Sequence, residues 1–224
     1  MRILEREPRE TGRDYALRVI KDNIISLDLA PGTPISESEL AVKLNLSRTP
    51  VREALIELAK VKIITVQPQK KGVVAPIDYD LVDEARFMRS VLERAVIRLA
   101  CEMATQADLQ RLTENVKLQQ LYLENYYSGS LMELDNAFHR TIFEIARKPQ
   151  VFDQIQNISI HFDRVRSMAL VAVKNNKIVE DHANLISAIA DRDPNRAETL
   201  MEKHLSRYKI DAEVIRENYP EYFA

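Results

Sequence analysis

From Asp80 to the end of the chain, apolar residues recur at helical spacing and no strand-like run appears. A stretch of about 145 residues patterned this way buries its apolar stripes only by packing helix on helix, which specifies an antiparallel helical bundle. The spacing predicts helices near 80–103, 106–127, 130–147, 150–174, 178–191 and 194–217. Two starts are well marked: Ser130 with Glu133 forms a capping box, and Asp193 caps a helix whose first position is Pro194. Glycine is scarce at 4 residues and tryptophan is absent, which excludes collagen-like and low-complexity chains and argues against a β-sandwich. The single Cys101 excludes an internal disulfide framework and a cysteine-based zinc ribbon. No apolar run reaches the length of a membrane span, and the charged opening residues lack an apolar signal core. A cytoplasmic protein with no membrane partner is the expectation.

The segment 1–76 reads differently. A helix with Leu17, Ile20, Ile24 and Leu27 on one stripe ends at the breaker Ala30-Pro31-Gly32. Ser36 with Glu39 opens a short second helix through Leu40, Ala41 and Leu44, which Asn45 closes in a left-handed turn. A third helix starts at Ser47-Arg48-Thr49-Pro50 and carries Val51, Ala54, Leu55 and Leu58. Strand-forming residues follow in two short runs, 63–66 and 73–75, flanking a polar basic turn. The fold class is therefore mainly α: a winged helix-turn-helix with a small β-hairpin wing over 1–76, then an all-α bundle over 77–224. Charge divides along the same line. Residues 1–76 carry 13 Lys/Arg against 10 Asp/Glu, whereas 77–224 carry 19 against 24. Within 43–71 the balance is 7 to 2, a basic patch suited to a polyanion.

In a helix-turn-helix the first turn of the second helix enters the major groove. That turn holds Arg48, Thr49 and Arg52. An Arg guanidinium can donate twice to guanine, and Thr can meet phosphate or a thymine methyl. Lys70 and Lys71 at the hairpin tip are placed for phosphate or the minor groove, and Gly72 lets the backbone turn there.

The four histidines, His139, His161, His182 and His204, all lie in the bundle half. Asp135 and His139 stand one turn apart on a face shared with Leu131, Phe138 and Ile142. His182 sits among Leu185, Ile186 and Ile189; His204 sits among Leu200, Met201 and Tyr208. His182 precedes Asp193, the turn between the last two expected helices, by the same separation at which His204 follows it. In an antiparallel hairpin both then fall about 16 Å from that turn, at equal height. Buried imidazoles and a carboxylate are costly unless paired or coordinated, and one divalent ion would satisfy all four. Three nitrogens and one oxygen suit Zn²⁺ first, with Ni²⁺, Fe²⁺ and Mn²⁺ also possible. His161 and Asn157, four apart on the 150–174 helix, are candidates to face the same cavity, and Arg164 is a further pocket candidate.

The segment Leu44 to Leu55, LNLSRTPVREAL, and the later PQKKGVVAP closely resemble the winged helix of the GntR family of bacterial transcription regulators. The resemblance implies operator contact through the positions of Arg48, Thr49, Arg52 and Gly72. Two positions depart from it: Ser38 stands where related members often carry Arg or Lys, and Lys71 where Arg is common. The strings MRSVLERAVIRLA, LDNAFHRTIFEIARKPQ and EDHANLISAIADRDPNRAETLMEKHL resemble the FCD effector domain of the FadR-type branch. That resemblance implies a metal held at Asp135, His139, His182 and His204, and a small carboxylate effector beside it. Arg89 matches the branch's carboxylate clamp, with an ion pair to Glu93 as the competing reading. The expected function is a homodimeric, ligand-responsive regulator on double-stranded operator DNA; the resemblance implies operator release as the commoner outcome of effector binding, and the sequence leaves repressor versus activator open. A metal sensor in which the ion is itself the signal is the second reading, and a metalloenzyme the remote third. No residue is placed as a general base, so no catalytic residue is assigned.

Overall fold

The computed structural model describes residues 1–65, 72–124, 128–172 and 177–224. They form two compact units, Met1–Tyr79 together with Tyr219–Ala224, and Asp80–Asn218.

In the first unit α1 (Gly12–Ile25) begins where the Thr11 hydroxyl accepts the Asp14 amide at 3.1 Å, earlier than the apolar stripe suggests. It ends because Leu27 turns left-handed (φ 65°). Ser36 caps α2 (Glu37–Lys43) by accepting the Glu39 amide, as its capping-box pattern predicts. Asn45, also left-handed (φ 52°), separates α2 from α3 (Arg48–Lys60). Helices α1 and α2 pack on α3, burying Val19, Ile20, Ile24, Leu40, Val51, Ala54 and Leu58.

The wing has a third strand that the periodicity missed. β1 (Pro34–Ile35), β2 (Ile64–Thr65) and β3 (Gly72–Val74) form an antiparallel sheet in the order β1-β3-β2. Pro34 pairs with Val73 and Ile35 with Gly72. So short a segment between a Pro-Gly turn and a helix cap carries no alternation to detect; the pairing comes from burial of Ile35. Lys70 and Lys71 lie outside the described residues.

The last residues of the chain return to this unit. Ile77 and Phe223 form a parallel bridge, the Ile77 amide donates to Tyr222 O at 2.7 Å, and the Ala224 amide donates to Ile77 O at 3.0 Å. The Tyr79 and Phe223 rings stack at 5.2 Å.

Among the described residues the second unit's regular structure is helical: α4 (Tyr79–Met103), α5 (Gln106–Glu124), α6 (Ser128–Ile145), α7 (Pro149–Ile158), α8 (Ile160–Ala172), α9 (Lys177–Ala190), α10 (Pro194–Ser206) and α11 (Tyr208–Asn218). Helix α5 packs on α6 and α9, α9 on α10, and α8 on α6 and α11. Asp193 caps α10 by accepting the Arg196 amide, as expected.

Three expectations need correction. Helix α6 starts at Ser128, so Ser130 lies inside its first turn rather than before it. The helix expected over 150–174 breaks at Ser159, which ends α7 within the weak helix formers Asn157-Ile158-Ser159 and is itself fully buried. The helix expected over 194–217 breaks at Arg207, whose side chain turns to Asp181. Among the described residues no helix is long and apolar enough to cross a membrane.

The tail contact gives a direct prediction. Phe223→Ala removes the stacked pair and should cost about 1 kcal/mol. Urea unfolding reads this as a lower midpoint, and amide exchange at Ile77 should quicken. An unchanged midpoint and exchange rate would show that the tail contributes nothing to the first unit.

Candidate metal centre and nucleic-acid interface

Four side chains from three helices converge in the second unit. Asp135 and His139 come from α6, His182 from α9 and His204 from α10, each offering a donor atom within 4.8 Å of the others. His139 Nε2 lies 3.2 Å from His204 Nε2 and 3.8 Å from Asp135 Oδ2. His182 Nε2 lies 3.5 Å from Asp135 Oδ1. Phe138 stacks on the His182 ring at 4.1 Å and closes one side. The equal spacings about Asp193 anticipate the meeting of His182 and His204, and the one-turn pair Asp135 and His139 on α6 supplies the rest of the cluster.

The rings are oriented by residues the sequence reading did not assign to the site. Glu93 on α4 accepts a short hydrogen bond from His139 Nδ1. Gln119 on α5 accepts from His182 Nδ1 at 2.8 Å. Its amide is oriented by a second bond, from Gln119 Nε2 to Asn115 Oδ1 at 2.7 Å. Asp181 on α9 stands 3.5 Å from His204 Nδ1 and is itself held by Arg207, which donates through Nε at 2.8 Å and through Nη2 at 2.6 and 2.5 Å. A carboxylate only accepts, so Nδ1 carries the proton in His139, and the lone pair stays on Nε2. The Gln119 oxygen imposes the same tautomer on His182.

Burial decides the protonation of the three rings. His139 and His182 are pushed below the ordinary imidazole range by desolvation, His182 far below with the neighbouring His204 and His139 charges adding. Desolvation likewise brings His204 down to about 4, although Asp181 opposes it. Glu93 is the reverse case: burial alone would raise its carboxyl, but Arg89 and His139 hold it below the usual carboxylate range. The centre at neutral pH therefore presents three neutral imidazoles, two of them with Nε2 left unprotonated by their Nδ1 hydrogen bonds, beside Asp135. His182 Nε2 is buried with no hydrogen-bond partner. The Nε2 atoms of His139 and His204, 3.2 Å apart, together with this orphan nitrogen and Asp135, form an arrangement that a divalent cation would satisfy. The donor set fits the expected ion.

The other candidates divide. Arg89 is completely buried; its Nε donates to Glu93, the ion pair of the competing reading, while Nη1 and Nη2 have no hydrogen-bond partner. Arg164 is buried on α8, where desolvation lowers it to about 10. His161 is buried on the same helix but is not one of the four converging donors. Asn157 is exposed on α7, and the break at Ser159 removes the shared helical face expected for it and His161. Arg166, not singled out from sequence, donates to Asp135, to Asp163 at 2.5 Å and to Asn136 at 3.3 Å. Its place in a run that mixes charged and apolar residues carries no periodic signal.

In the first unit Arg48, Thr49 and Arg52 stand exposed on the first turns of α3. Arg52 Nε also pairs with Glu37 of α2 at 2.9 Å, which ties the two helices of the motif together. Gly72 is the first residue of β3, packed beside Ile64 and Ile35 without a left-handed φ, so it is a paired strand residue and not the turn glycine expected.

A three-helix winged unit with a basic, exposed recognition turn, joined to a helical unit, defines a DNA-binding transcription regulator. Residues 16–74 match the bacterial regulatory proteins of the gntR family, and residues 84–207 match the FCD domain. The chain belongs to the GntR family and carries an FCD domain; it is a regulator, not an enzyme. It is 32% identical over 218 residues to the HTH-type transcriptional repressor RspR of Escherichia coli K12, across 97% of this chain and 96% of that protein. A regulator in an unstable DNA locus of Streptomyces ambofaciens is 32% identical over 220 residues, across 96% and 91%. The solved structure of E. coli McbR/YncC shares the fold, with a TM-score of 0.79 and 21% identity over 94% of this chain and 99% of that one.

The buried imidazoles predict how the metal-free protein responds to acid. Unfolded histidines protonate near pH 6.5, whereas the folded ones resist until much lower pH, so the unfolded state binds more protons in between. Stability should hold above that pH and fall steadily as pH drops toward 4, where the depressed Glu93 and Asp181 carboxyls extend the loss. Urea midpoints in chelator, taken from pH 8 to 4.5, check this. A curve flat down to pH 5 would mean the rings are not buried neutral.

Proposed function

We propose that this regulator controls transcription through a divalent metal and a small carboxylate bound in the FCD domain. The observation that carries the reading is the convergence of three histidine side chains and Asp135, with Nδ1 facing Glu93, Gln119 or Asp181 in each ring. Asp135, His139, His182 and His204 would hold the ion, Zn²⁺ by preference of the donor set. A bound ion would supply a positive centre able to take a carboxylate oxygen. Arg89, with two buried guanidinium nitrogens free of hydrogen bonds, would take the other end of that carboxylate. Arg164 and His161 would lie behind it as packing residues.

On the DNA side, Arg48 and Arg52 would read base edges, and Thr49 would meet the backbone or a thymine methyl. Lys70, Lys71 and Gly72 would form the wing contact. Two copies would place their α3 helices one DNA turn apart on an inverted repeat, so the working form is a homodimer. The relative RspR is named a repressor; this chain would likewise repress, and the bound acid would weaken its operator affinity.

Two experiments test these assignments. Thermal-shift screening of small carboxylic acids should use zinc-loaded, metal-stripped and His139→Ala protein. Acids should raise the melting temperature of the loaded form alone. Stabilisation by zinc with no acid effect would instead favour an ion that is the signal, and no response to either would end the metal reading. Gln119→Leu, which leaves the four donors in place, should weaken zinc binding by about 10- to 100-fold in competition with a chromophoric chelator.

For DNA, duplexes selected from a random pool by the native protein serve as the operator. Arg48→Ala and Arg52→Ala should each bind them about tenfold or more weakly in fluorescence anisotropy. Native-like binding by both variants would remove α3 from the base-reading role.

A further inference from the structure

We propose that Glu37 is a specificity-determining residue, which holds Arg52 by Nε so that its terminal guanidinium nitrogens are presented to a base edge. The proposal rests on the DNA reading above, in which Arg48 and Arg52 contact bases, and deepens it.

The pair joins the first residue of α2 to the second turn of α3. Arg52 Nε donates to Glu37 Oε2 at 2.9 Å, across 15 positions of sequence. Both ends of the contact are anchored. Just before Glu37, buried Ile35 pairs with Gly72 in the sheet and the Ser36 hydroxyl accepts the Glu39 amide. Just after it, Leu40 and Ala41 are buried. Val51 and Ala54, which flank Arg52, are completely buried. The backbone at Arg52 is therefore fixed while its side chain projects outward, 68% exposed against 26% for Glu37. Among the described residues Glu37 is the one carboxylate bonded to Arg52, and Nη1 and Nη2 carry no hydrogen bond.

An exposed ion pair of this kind contributes little to stability. Its effect lies in what it does to the arginine. A free arginine loses much of its rotamer freedom on docking, whereas a tethered one has lost part of it before DNA arrives. An untethered guanidinium can also turn aside to a phosphate, a contact that carries no sequence information. With Nε engaged, Nη1 and Nη2 remain as a fork that fits O6 and N7 of guanine. The Glu37 carboxylate is itself repelled by phosphate, so it opposes resting this turn against the DNA backbone alone. Both effects favour matched over unmatched DNA. Arg48, also exposed, has no such tether among the described residues, so the effect is confined to the base pair that Arg52 reads. Direct acceptance from cytosine N4 by Glu37 is the rival chemistry.

The test uses the full chain, the selected duplex and a panel in which each base pair of the half-site is replaced in turn. Affinities are read by fluorescence anisotropy at one fixed salt concentration. Arg52→Ala locates the base pair that Arg52 reads, and Arg48→Ala locates the one that Arg48 reads. Glu37→Gln should lower discrimination at the Arg52 pair by about three- to tenfold and leave it unchanged at the Arg48 pair. Unrelated duplex should be bound at least as tightly as by the native protein. Glu37→Ala, which cannot hold Nε at all, should lose at least as much discrimination. Adding Glu37→Gln to Arg52→Ala should change nothing further, because the carboxylate acts through the arginine. A further loss in the double variant would mean that Glu37 reads a base directly, and overturns the proposal. Undiminished discrimination in both Glu37 variants overturns it too, as does an equal weakening on every duplex, the signature of a merely structural role. If Arg52→Ala binds the whole panel as the native protein does, the base-reading assignment of Arg52 itself falls, and this proposal with it.

Discussion

Glu93 sits between Arg89 and His139, buried to 1% exposure, and the second unit is assembled around that contact. An isolated carboxylate at such a position would cost several kcal/mol of desolvation, and so would the guanidinium beside it. Neither residue can be buried without the other, nor without a donor from α6. The same logic repeats outward: Asp163 requires Arg166, Arg166 requires Asp135, and Asp181 requires Arg207. Helices α4, α5, α6, α8, α9 and α10 each contribute at least one member of the polar centre. The polar interior therefore selects one arrangement of helices whose apolar stripes alone would tolerate several. Removing a single member leaves its partner charged and unpaired, which destabilises far more than a surface ion pair is worth.

The four donors are legible in the sequence because histidine is rare and because each sits on an apolar stripe. Counting equal separations either way from Asp193 needs only the helical rise. Their supporting residues give no such mark. Glu93, Asp163 and Asp181 are ordinary carboxylates in a chain with 34 of them, and nothing local separates a buried one from a solvated one. Gln119 reaches His182 across 63 positions, Glu93 reaches His139 across 46, and Arg166 reaches Asp135 across 31. Asp181 shows how misleading adjacency can be. It neighbours His182 in sequence yet serves His204, because successive residues on a helix point in different directions.

The errors in the element boundaries have a common physical origin. Periodicity reports which face is apolar, and that face continues through a one-residue break. Ser159 and Arg207 interrupt helices while keeping right-handed backbone angles, so the stripes on either side stay nearly in phase. The consequence is substantial at Asn157, which an unbroken helix would aim with His161 and which the structure leaves exposed. In the wing, Ile35 enters a strand through pairing with β3, a tertiary event with no local pattern. By contrast, the caps at Ser36 and Asp193 and the left-handed Asn45 depend on neighbours within a single turn, and those the sequence fully specifies.

Connectivity bounds how ligand binding could reach the operator in the proposed reading. The chain leaves the winged unit at Tyr79, the first residue of α4, and re-enters it at Tyr219 after α11. Helix α4 carries Arg89 and Glu93, and α11 packs on α8, which carries Asp163 and Arg166. Both covalent connections between the units therefore lead directly from helices that frame the centre or brace one that does. A bound acid can alter DNA affinity only by its difference in affinity for the operator-bound and operator-free arrangements. A tenfold change in operator affinity requires about 1.4 kcal/mol of that difference. Repartnering of one buried charge-assisted hydrogen bond at Arg89 or Arg166 is of that size. A large rearrangement of the bundle is not needed, and a bundle locked by paired buried charges would resist one.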